Sequence, residues 1–359
     1  MAYEHTIRPK WNRVPGIDSP LIPQQDKLCI VGDSWELHDG LKIEMHCHST
    51  LSDGRNTSEE VLLEAKRLGL NFLALTDHDR ISPPEFQQSL RDWGIMTCDG
   101  VEISARNFDL DKSLHLVSYA NIFKQSLHDV LDSTITWKVK MYEGQIDKLI
   151  KVWLSGNLEG FELYMRRNHG RWLRSANKWF LAHYMHRVPW NKKKMQDILW
   201  ELLWESKDVV WLFYSECLKR EGNLYDTYWY ESDEYEPSVE CAVNEVVDKS
   251  WGIISMAHPN VTFDDKKWWI KEFQRTFPDY VEKWINGVEI NTMASSEWVK
   301  AILEVQREHD LILTFWSDCH QIGYRWADGK HSTIWKQNAH VSHGMREHNF
   351  WKFQDTLSI

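Results

Sequence analysis

Seven short apolar runs, most of them finishing in histidine or an acid, constrain the fold of this chain more than any other feature. They occupy residues 41–45, 72–76, 95–103 (interrupted by Cys98-Asp99-Gly100), 114–119, 252–257, 287–290 and 311–315. Each is aliphatic or β-branched and lies close to turn or polar residues, as buried strands do. Helices fit between them. Thr57-Ser58-Glu59-Glu60 is a capping signal, Val61, Leu62, Ala65 and Leu68 form an apolar stripe, and Gly69 ends it. Further helices fit 84–93, 240–249 and 296–309. Near-continuous apolar strands alternating with helices predict a parallel sheet covered by helices. Seven repeats suit a closed or nearly closed barrel better than an open sheet.

Chemistry collects at the C-terminal ends of these runs. The first leads into His46-Cys47-His48, with Asp53 in Ser52-Asp53-Gly54. The second ends in Thr76-Asp77-His78-Asp79, the third carries Glu102 and the fourth His115. The fifth ends in Ala257-His258-Pro259 and the seventh in Ser317-Asp318-Cys319-His320. In a parallel barrel these ends share one face, where active sites are built. Residues i and i+2 of a strand point the same way, so His46 with His48, and Asp318 with His320, can each address one centre. Cys47 and Cys319 then point away and read as small buried hydrophobes. A single histidine at a strand end is usually just a satisfied polar residue. Nine candidates on one face are different, because burying so many ionisable groups without a metal is costly. Imidazole with carboxylate suits zinc, iron or manganese rather than magnesium or calcium.

The segments His46-Cys47-His48-Ser49, Ser52-Asp53-Gly54, Leu75-Thr76-Asp77-His78-Asp79 and Gly100-Val101-Glu102-Ile103-Ser104 resemble the signature of the PHP (polymerase and histidinol phosphatase) superfamily of phosphoesterases. His115-Leu116-Val117, Ala257-His258-Pro259 and Ser317-Asp318-Cys319-His320 continue it in order. The resemblance implies an α/β fold, a distorted (βα)7 TIM-like barrel with two or three divalent transition-metal ions. It implies that His46, His48, Glu102 and Asp318 hold one ion. Glu102 bridges to a second, held also by His115 and His258, and Asp53, His78 and His320 hold the third. Asp53 stands where some members have histidine, which puts full occupancy of the third site in question. The implied activity is phosphate-ester hydrolysis by hydroxide bridging two ions, with no side-chain nucleophile. Asp77 is expected to orient a ligand histidine from behind.

The expected domain plan is an extension over 1–40, a catalytic barrel over 41–120 and 239–325, a mainly helical insertion over 121–238 and a tail over 326–359. The insertion is rich in Lys, Arg, Trp, Tyr and Leu at helical spacing. It resembles the segment found in members acting on nucleoside 3′,5′-bisphosphates or trimming short RNA from its 5′ end. Arg166, Arg167, Arg171, Arg174 and Lys178 form a basic cluster there. Each is read most simply as part of a solvated helix face. Arg174 and Lys178, four apart, are candidates to grip a distal phosphate, with Arg106 beyond the Glu102 strand as another. Tyr and Trp of the insertion could stack a base, though such residues are usually core.

The net charge of −11 argues against wrapping long duplex nucleic acid, which needs a broad cationic surface. A small phosphorylated substrate, a nucleotide or short RNA, remains compatible because metals supply local positive charge. The alternatives are a phosphatase for histidinol phosphate or another small molecule, and a non-catalytic metal-binding regulatory module. A polymerase-linked proofreading domain would need a polymerase on the same chain. Residues 1–23 lack the apolar core of a secretion signal, and no apolar run nears the ~20 residues of a membrane span. A cytoplasmic protein is expected.

One imbalance remains. Tryptophan occurs 21 times and glycine only 17, where a share of about 7% glycine would give roughly 25. Trp251, Trp316 and Trp93 fall at turns or helix ends that favour glycine. Either the protein is genuinely tryptophan-rich, or a codon read here as tryptophan is read as glycine in its native organism.

Overall fold

A computed structural model describes residues 40–110, 112–204, 208–219, 222–230, 236–263, 267–323, 334 and 338–359. The extension over 1–39, like His331 in the tail, lies outside the described residues. The strands are β1 (Ile43–Cys47), β2 (Phe72–Leu75), β3 (Asp99–Asn107), β4 (Lys112–Ala120), β5 (Ile253–Met256), β6 (Gly287–Asn291) and β7 (Ile312–Trp316). All seven expected runs form strands, with ends shifted by a few residues. They form two sheets, β1-β2 and β3-β4-β5-β6-β7, where a single closed barrel was expected. Isolated bridges Cys47–Cys319 and His78–Glu102 lie between the two sheets.

The expected all-parallel order fails at β4, which runs antiparallel to both β3 and β5. The reason is connection length. Only residues 108–111 separate β3 from β4, while a parallel crossover needs a dozen or more. Asn107 closes the turn, its Oδ1 accepting from the backbone N–H of Asp109 and Leu110 at 3.1 Å each. β5-β6 and β6-β7 are parallel.

Helix α1 (Ser58–Leu68) carries the expected capping box, Thr57 with Glu60, and ends at Gly69 in the left-handed conformation. Helix α2 (Pro84–Asp92) ends differently from expectation: Trp93 has φ −96°, and the left-handed residue is Gly94, φ 73°. Between β4 and β5 lie α3 (Gln125–Lys151), α4 (Leu158–His169), a 3-10 turn at Leu173–Ser175, α5 (Lys178–Arg187), α6 (Pro189–Ile198), α7 (Val209–Leu212), α8 (Tyr225–Tyr228) and α9 (Val239–Val243). α7 and α9 each continue as a π-helical stretch, Phe213–Leu218 and Asn244–Asp248. Residues from Met141 to Trp229 make a core of their own, separate from the core around the strands.

After β5 come α10 (Pro259–Thr262) and α11 (Lys267–Glu282), then α12 (Ser296–His309) between β6 and β7. The polar tail contains a helix the sequence reading did not foresee, α13 (His343–Leu357). Its Phe350 and Phe353 are fully buried and pack edge-on against Phe72 of β2 at 5.1 and 5.6 Å. Among the described residues no helix is long and apolar enough to cross a membrane.

Candidate metal centre

β1 runs buried through Glu44 and His46 and delivers His48 just beyond its end. The two-residue period puts all three on one face. β3 brings Glu102 beside them, 1% exposed. Five imidazoles surround this one carboxylate. Glu102 Oε2 lies 3.2 Å from His46 Nε2, 3.3 Å from His48 Nε2 and 3.0 Å from His78 Nδ1. Its Oε1 lies 3.2 Å from His115 Nδ1 and 3.1 Å from His258 Nε2. Asp318 Oδ1 is 3.3 Å from His48 Nε2 and 3.1 Å from His320 Nδ1. Asp53 joins from the other side, Oδ1 at 3.1 Å from His320 Nε2 and Oδ2 at 3.7 Å from His78 Nε2. The structure thus brings all nine candidate residues together.

Among the described residues three groupings have ligand atoms within 4.8 Å of one another: His46-His48-Glu102, His78-Glu102-His115 and His48-Asp53-His78-His320. Glu102, His48 and His78 are each shared between two groupings, as in a multi-ion centre. Neutral imidazole nitrogens and carboxylate oxygens are the donor set of first-row transition metals. The residues present fit such ions.

Charge is strongly coupled here. Burial alone would push the Glu102 carboxyl up, but His78, His46 and His115 outweigh it and hold the group well below its ordinary range. Burial opposes charge on His78, yet Glu102 and Asp53 raise it to about 9. His48 sits centrally, and burial with the neighbouring His320 and His78 rings drives it down to about 4. Asp53 overcomes its burial through His320 and His78 and stays well below the usual carboxylate range. A metal entering such a cluster displaces the imidazole protons. Three residues at the site, His258, Asp318 and Asp79, have positive φ, at 32°, 48° and 52°.

Asp77 differs in detail from its expected role. Its carboxylate accepts from Ser49 N–H at 2.8 Å, Ser49 Oγ at 2.7 Å, Ser52 N–H at 3.1 Å and Ser52 Oγ at 2.5 Å. It fixes the loop between His48 and Asp53 rather than a histidine ring. The next carboxylate, Asp79, accepts from Ser104 N–H and Oγ at 2.8 and 3.0 Å, pinning β3 beside Glu102.

Two acids missed in the sequence stand behind the ligands. Glu289 of β6 is fully buried. Its Oε1 lies 3.0 Å from His46 Nδ1 and its Oε2 accepts from the His258 backbone N–H at 2.9 Å. Glu44 Oε1 accepts from the His46 and Ser317 backbone N–H groups at 2.9 and 3.2 Å, and burial raises its carboxyl to about 8. The signal was available: each is a lone acid inside a continuous apolar strand, and β6 was the one strand given no site residue.

The three candidate substrate contacts are more dispersed. Arg174 is exposed in the 3-10 turn, while Lys178 opens α5, so the shared helix face assumed from their spacing does not exist. The Lys178 ammonium lies over the Trp229 ring at 4.1 Å. Arg106 is 4% exposed, and its backbone N–H donates to Pro237 O at 2.9 Å.

The family model of the PHP domain matches residues 44–191. Over that stretch the chain is similar to the PHP domain. The matched stretch holds six of the nine clustered residues and runs on into α6 of the helical insertion. Among curated proteins, a phosphoribosyl 1,2-cyclic phosphate 1,2-diphosphodiesterase from Eggerthella lenta is 35% identical over 75 residues, 21% of this chain and 29% of that protein. A 5′-3′ exoribonuclease from Haemophilus influenzae is 40% identical over 77 residues, 21% of this chain and 27% of that protein. The chain thus spans less than a third of the length of either relative. Among solved structures, a protein described as a metal-dependent phosphoesterase from Bifidobacterium adolescentis superposes with a TM-score of 0.58 at 16% identity. That match covers 88% of this chain and 96% of the other, so the two share a fold over most of the molecule.

Proposed function

We propose that this PHP-domain protein is a metal-dependent phosphoesterase acting on a nucleotide or short oligonucleotide. The observation that carries the reading is the single carboxylate of Glu102 with five imidazole nitrogens at 3.0–3.3 Å. A buried carboxylate with both oxygens so surrounded would suit two cations. In this reading His46, His48 and Asp318 would hold one ion beside Glu102, His115 and His258 a second, and Asp53, His78 and His320 a third. When bound, zinc, manganese or iron acidifies water and neutralises charge developing on a phosphoryl group. The protein's own residues orient and insulate. Glu289 holds the His46 ring and the turn at His258, Glu44 fixes the backbone at His46 and Ser317, and Asp77 sets the loop that carries Asp53.

The charges around the centre support this reading of the substrate class. Lys138 of α3 is near enough to oppose protonation of His78, and Arg174 opposes the charge of Arg80, two residues beyond His78. These cations, contributed largely by the insertion, suit an anion with a second phosphate beside the scissile one. Arg174 is the preferred contact among the candidates, with Arg106 and Lys178 behind it. The likeness to the exoribonuclease and the cyclic-phosphate diphosphodiesterase supports a nucleotide-like ester over histidinol phosphate. The two sheets, joined by isolated bridges, are read as a distorted barrel, with residues 121–238 as its cap and a cytoplasmic setting.

Turnover of adenosine 3′,5′-bisphosphate, histidinol phosphate and a 5′-phosphorylated trinucleotide, compared side by side in manganese and in chelator, tests the reading. Metal-dependent release of phosphate or nucleotide from the first or third supports it. Preference for histidinol phosphate transfers it to the small-molecule alternative, and metal binding without turnover of any ester leaves the regulatory module.

A further inference from the structure

Arg171 does not belong to a solvated basic face. Gly170, with φ 65°, ends α4 and turns the chain, and the Arg171 side chain then runs inward until only 2% of the residue is exposed. Its Nη2 donates to the carbonyl of Gly54, the residue after Asp53. Its guanidinium lies 5.2 Å from the centre of the Phe180 ring, and Asp53 and Asp77 favour its charge. Nε and Nη1 have no hydrogen-bond partner among the described residues. Burying a guanidinium is costly unless its charge is offset; burial lowers the pKa of Arg171, and Asp53 of the metal-site loop with Asp77 beyond β2 offsets this in part. That loop has no slack: a Cβ on Gly54 would sit 2.5 Å from the His48 backbone.

We propose that Arg171 is a positioning residue through which the helical insertion holds the Asp53 loop, and with it the third metal pocket, in its binding geometry. The inference rests on the metal-centre reading above. The full chain is loaded with manganese, desalted and assayed for bound metal per chain, as wild type, Arg171→Ala, Arg171→Lys and the exposed control Arg167→Ala. Arg171→Ala is expected to weaken one ion tenfold or more while the others stay, with Arg167→Ala unchanged. Wild-type stoichiometry and affinity in Arg171→Ala overturn the proposal, as does tighter binding, which would mean the guanidinium merely competes with the ion. Should the alanine variant fail to fold, Arg171→Lys decides, since it keeps the charge but not the reach to Gly54; unchanged affinity there overturns it equally. Absence of bound metal in the wild type would instead sink the metal-centre reading itself.

A separate observation concerns tryptophan. Trp153, Trp251 and Trp284 have φ of 71°, 57° and 72°, a region glycine enters freely and bulky residues almost never adopt. Two of them close helices as glycine does elsewhere in the chain. After α1, Gly69 N–H reaches Lys66 O and Leu70 N–H reaches Ala65 O; after α2, Gly94 and Ile95 repeat the pattern. After α3, Trp153 N–H reaches Ile150 O and Leu154 N–H reaches Leu149 O, both at 3.0 Å. After α11, Trp284 N–H reaches Val281 O at 2.8 Å and Ile285 N–H reaches Tyr280 O at 3.1 Å. In all four the following apolar residue is buried, which is the glycine-terminated helix motif. Trp153, Trp251 and Trp284 are 78%, 79% and 53% exposed, and for the first two packing does not repay the strain. Trp298, fully buried against Phe273 at 5.4 Å, is the opposite case.

We infer that positions 153, 251 and 284 are glycine in the native protein, through a codon read there as glycine and here as tryptophan, whereas Trp298 is genuine. Peptide mass spectrometry of the protein from its source cells decides this. Glycine at the three positions with tryptophan at 298 is expected; tryptophan at all three overturns the inference. As a physical check, the variant carrying Trp153→Gly, Trp251→Gly and Trp284→Gly should melt a few degrees higher than the chain as written, and a lower melting temperature counts against it.

Discussion

Replacing Glu289 by glutamine isolates what the acid behind the metal centre does. Glu289 Oε1 faces His46 Nδ1 at 3.0 Å and Oε2 accepts from the His258 N–H at 2.9 Å. When His46 offers Nε2 to a metal, its Nδ1 carries the proton, so Glu289 faces two donors at once. A glutamine amide of the same shape has one oxygen and one NH2. Whichever way it turns, one buried donor meets another donor. An unmatched buried donor costs about 1–3 kcal/mol, and loss of a carboxylate behind a metal-bound histidine typically weakens binding about 10–100-fold, or about 1.4–2.8 kcal/mol. The two routes agree, so Glu289→Gln should raise the apparent Kd for zinc or manganese by one to two orders of magnitude. Glu289→Ala, which strands both donors, should exceed it. Competition against a chromophoric chelator reads both. A change of less than about twofold in Glu289→Gln, or a weaker effect from alanine than from glutamine, would refute the argument from donor count.

His46→Ala should abolish metal-dependent ester hydrolysis, and chelator should remove the wild-type activity until manganese or zinc is returned; full activity in chelator contradicts the proposed chemistry. Asp77→Ala strands the serine donors of Ser49 and Ser52 and should cost about 3–5 kcal/mol of stability, read by urea unfolding. Phe350→Ala should cost about 3–5 kcal/mol although it lies ten residues from the C-terminus; a neutral result would detach α13 from the core. The pH dependence of the metal-free protein follows from the raised and depressed groups. His78, raised to about 9, contributes stability that is complete below its unfolded value of about 6.5 and lost as pH rises through 9. Asp53 and Glu102, held low, contribute stability present above about 4 and lost on acidification. His48, driven down to about 4, works the same way on acidification, its stability complete above about 6.5 and lost as pH falls toward 4, so the chelated protein should melt highest near pH 6.5 and lower toward pH 9. The metal-loaded protein should gain over the same rise, because bound ions need deprotonated rings; a flat melting profile in chelator would contradict the charge coupling.

The site was more legible than the fold. His46, His48, Asp53, His78, Glu102, His115, His258, Asp318 and His320 could be picked out because buried strands tolerate ionisable groups only where something compensates them. Their convergence was inferred from parallel strand ends sharing one face, and it holds although β4 runs antiparallel and carries His115 in its first half. Strand direction itself was misread at β4. Hydrophobic runs give the existence of a strand, whereas its sense is fixed by the length and chemistry of the connection, here four residues turned by Asn107. The tail was misread for a related reason. α13 presents Phe350, Phe353 and Leu357 to the core within a polar stretch, too sparse a stripe to stand out in composition.

What the sequence hid most completely is the dependence of the centre on residues that bind nothing. Glu44, Asp77 and Glu289 have no metal-ligand spacing, and Arg171 sits more than 100 positions from Gly54, whose carbonyl it holds. In the sequence Glu44 and Glu289 show only as lone acids within apolar strands and Asp77 only as part of the Thr76-Asp77-His78-Asp79 run, so what each of them holds is found by asking of a buried acid which donors it must answer. For Glu289 that question has a definite answer, a ring N–H and a backbone N–H on two different strand ends. It also explains why β6, which contributes no ligand, still carries an acid at its centre: the first and fifth strand ends hold their histidines in register through it.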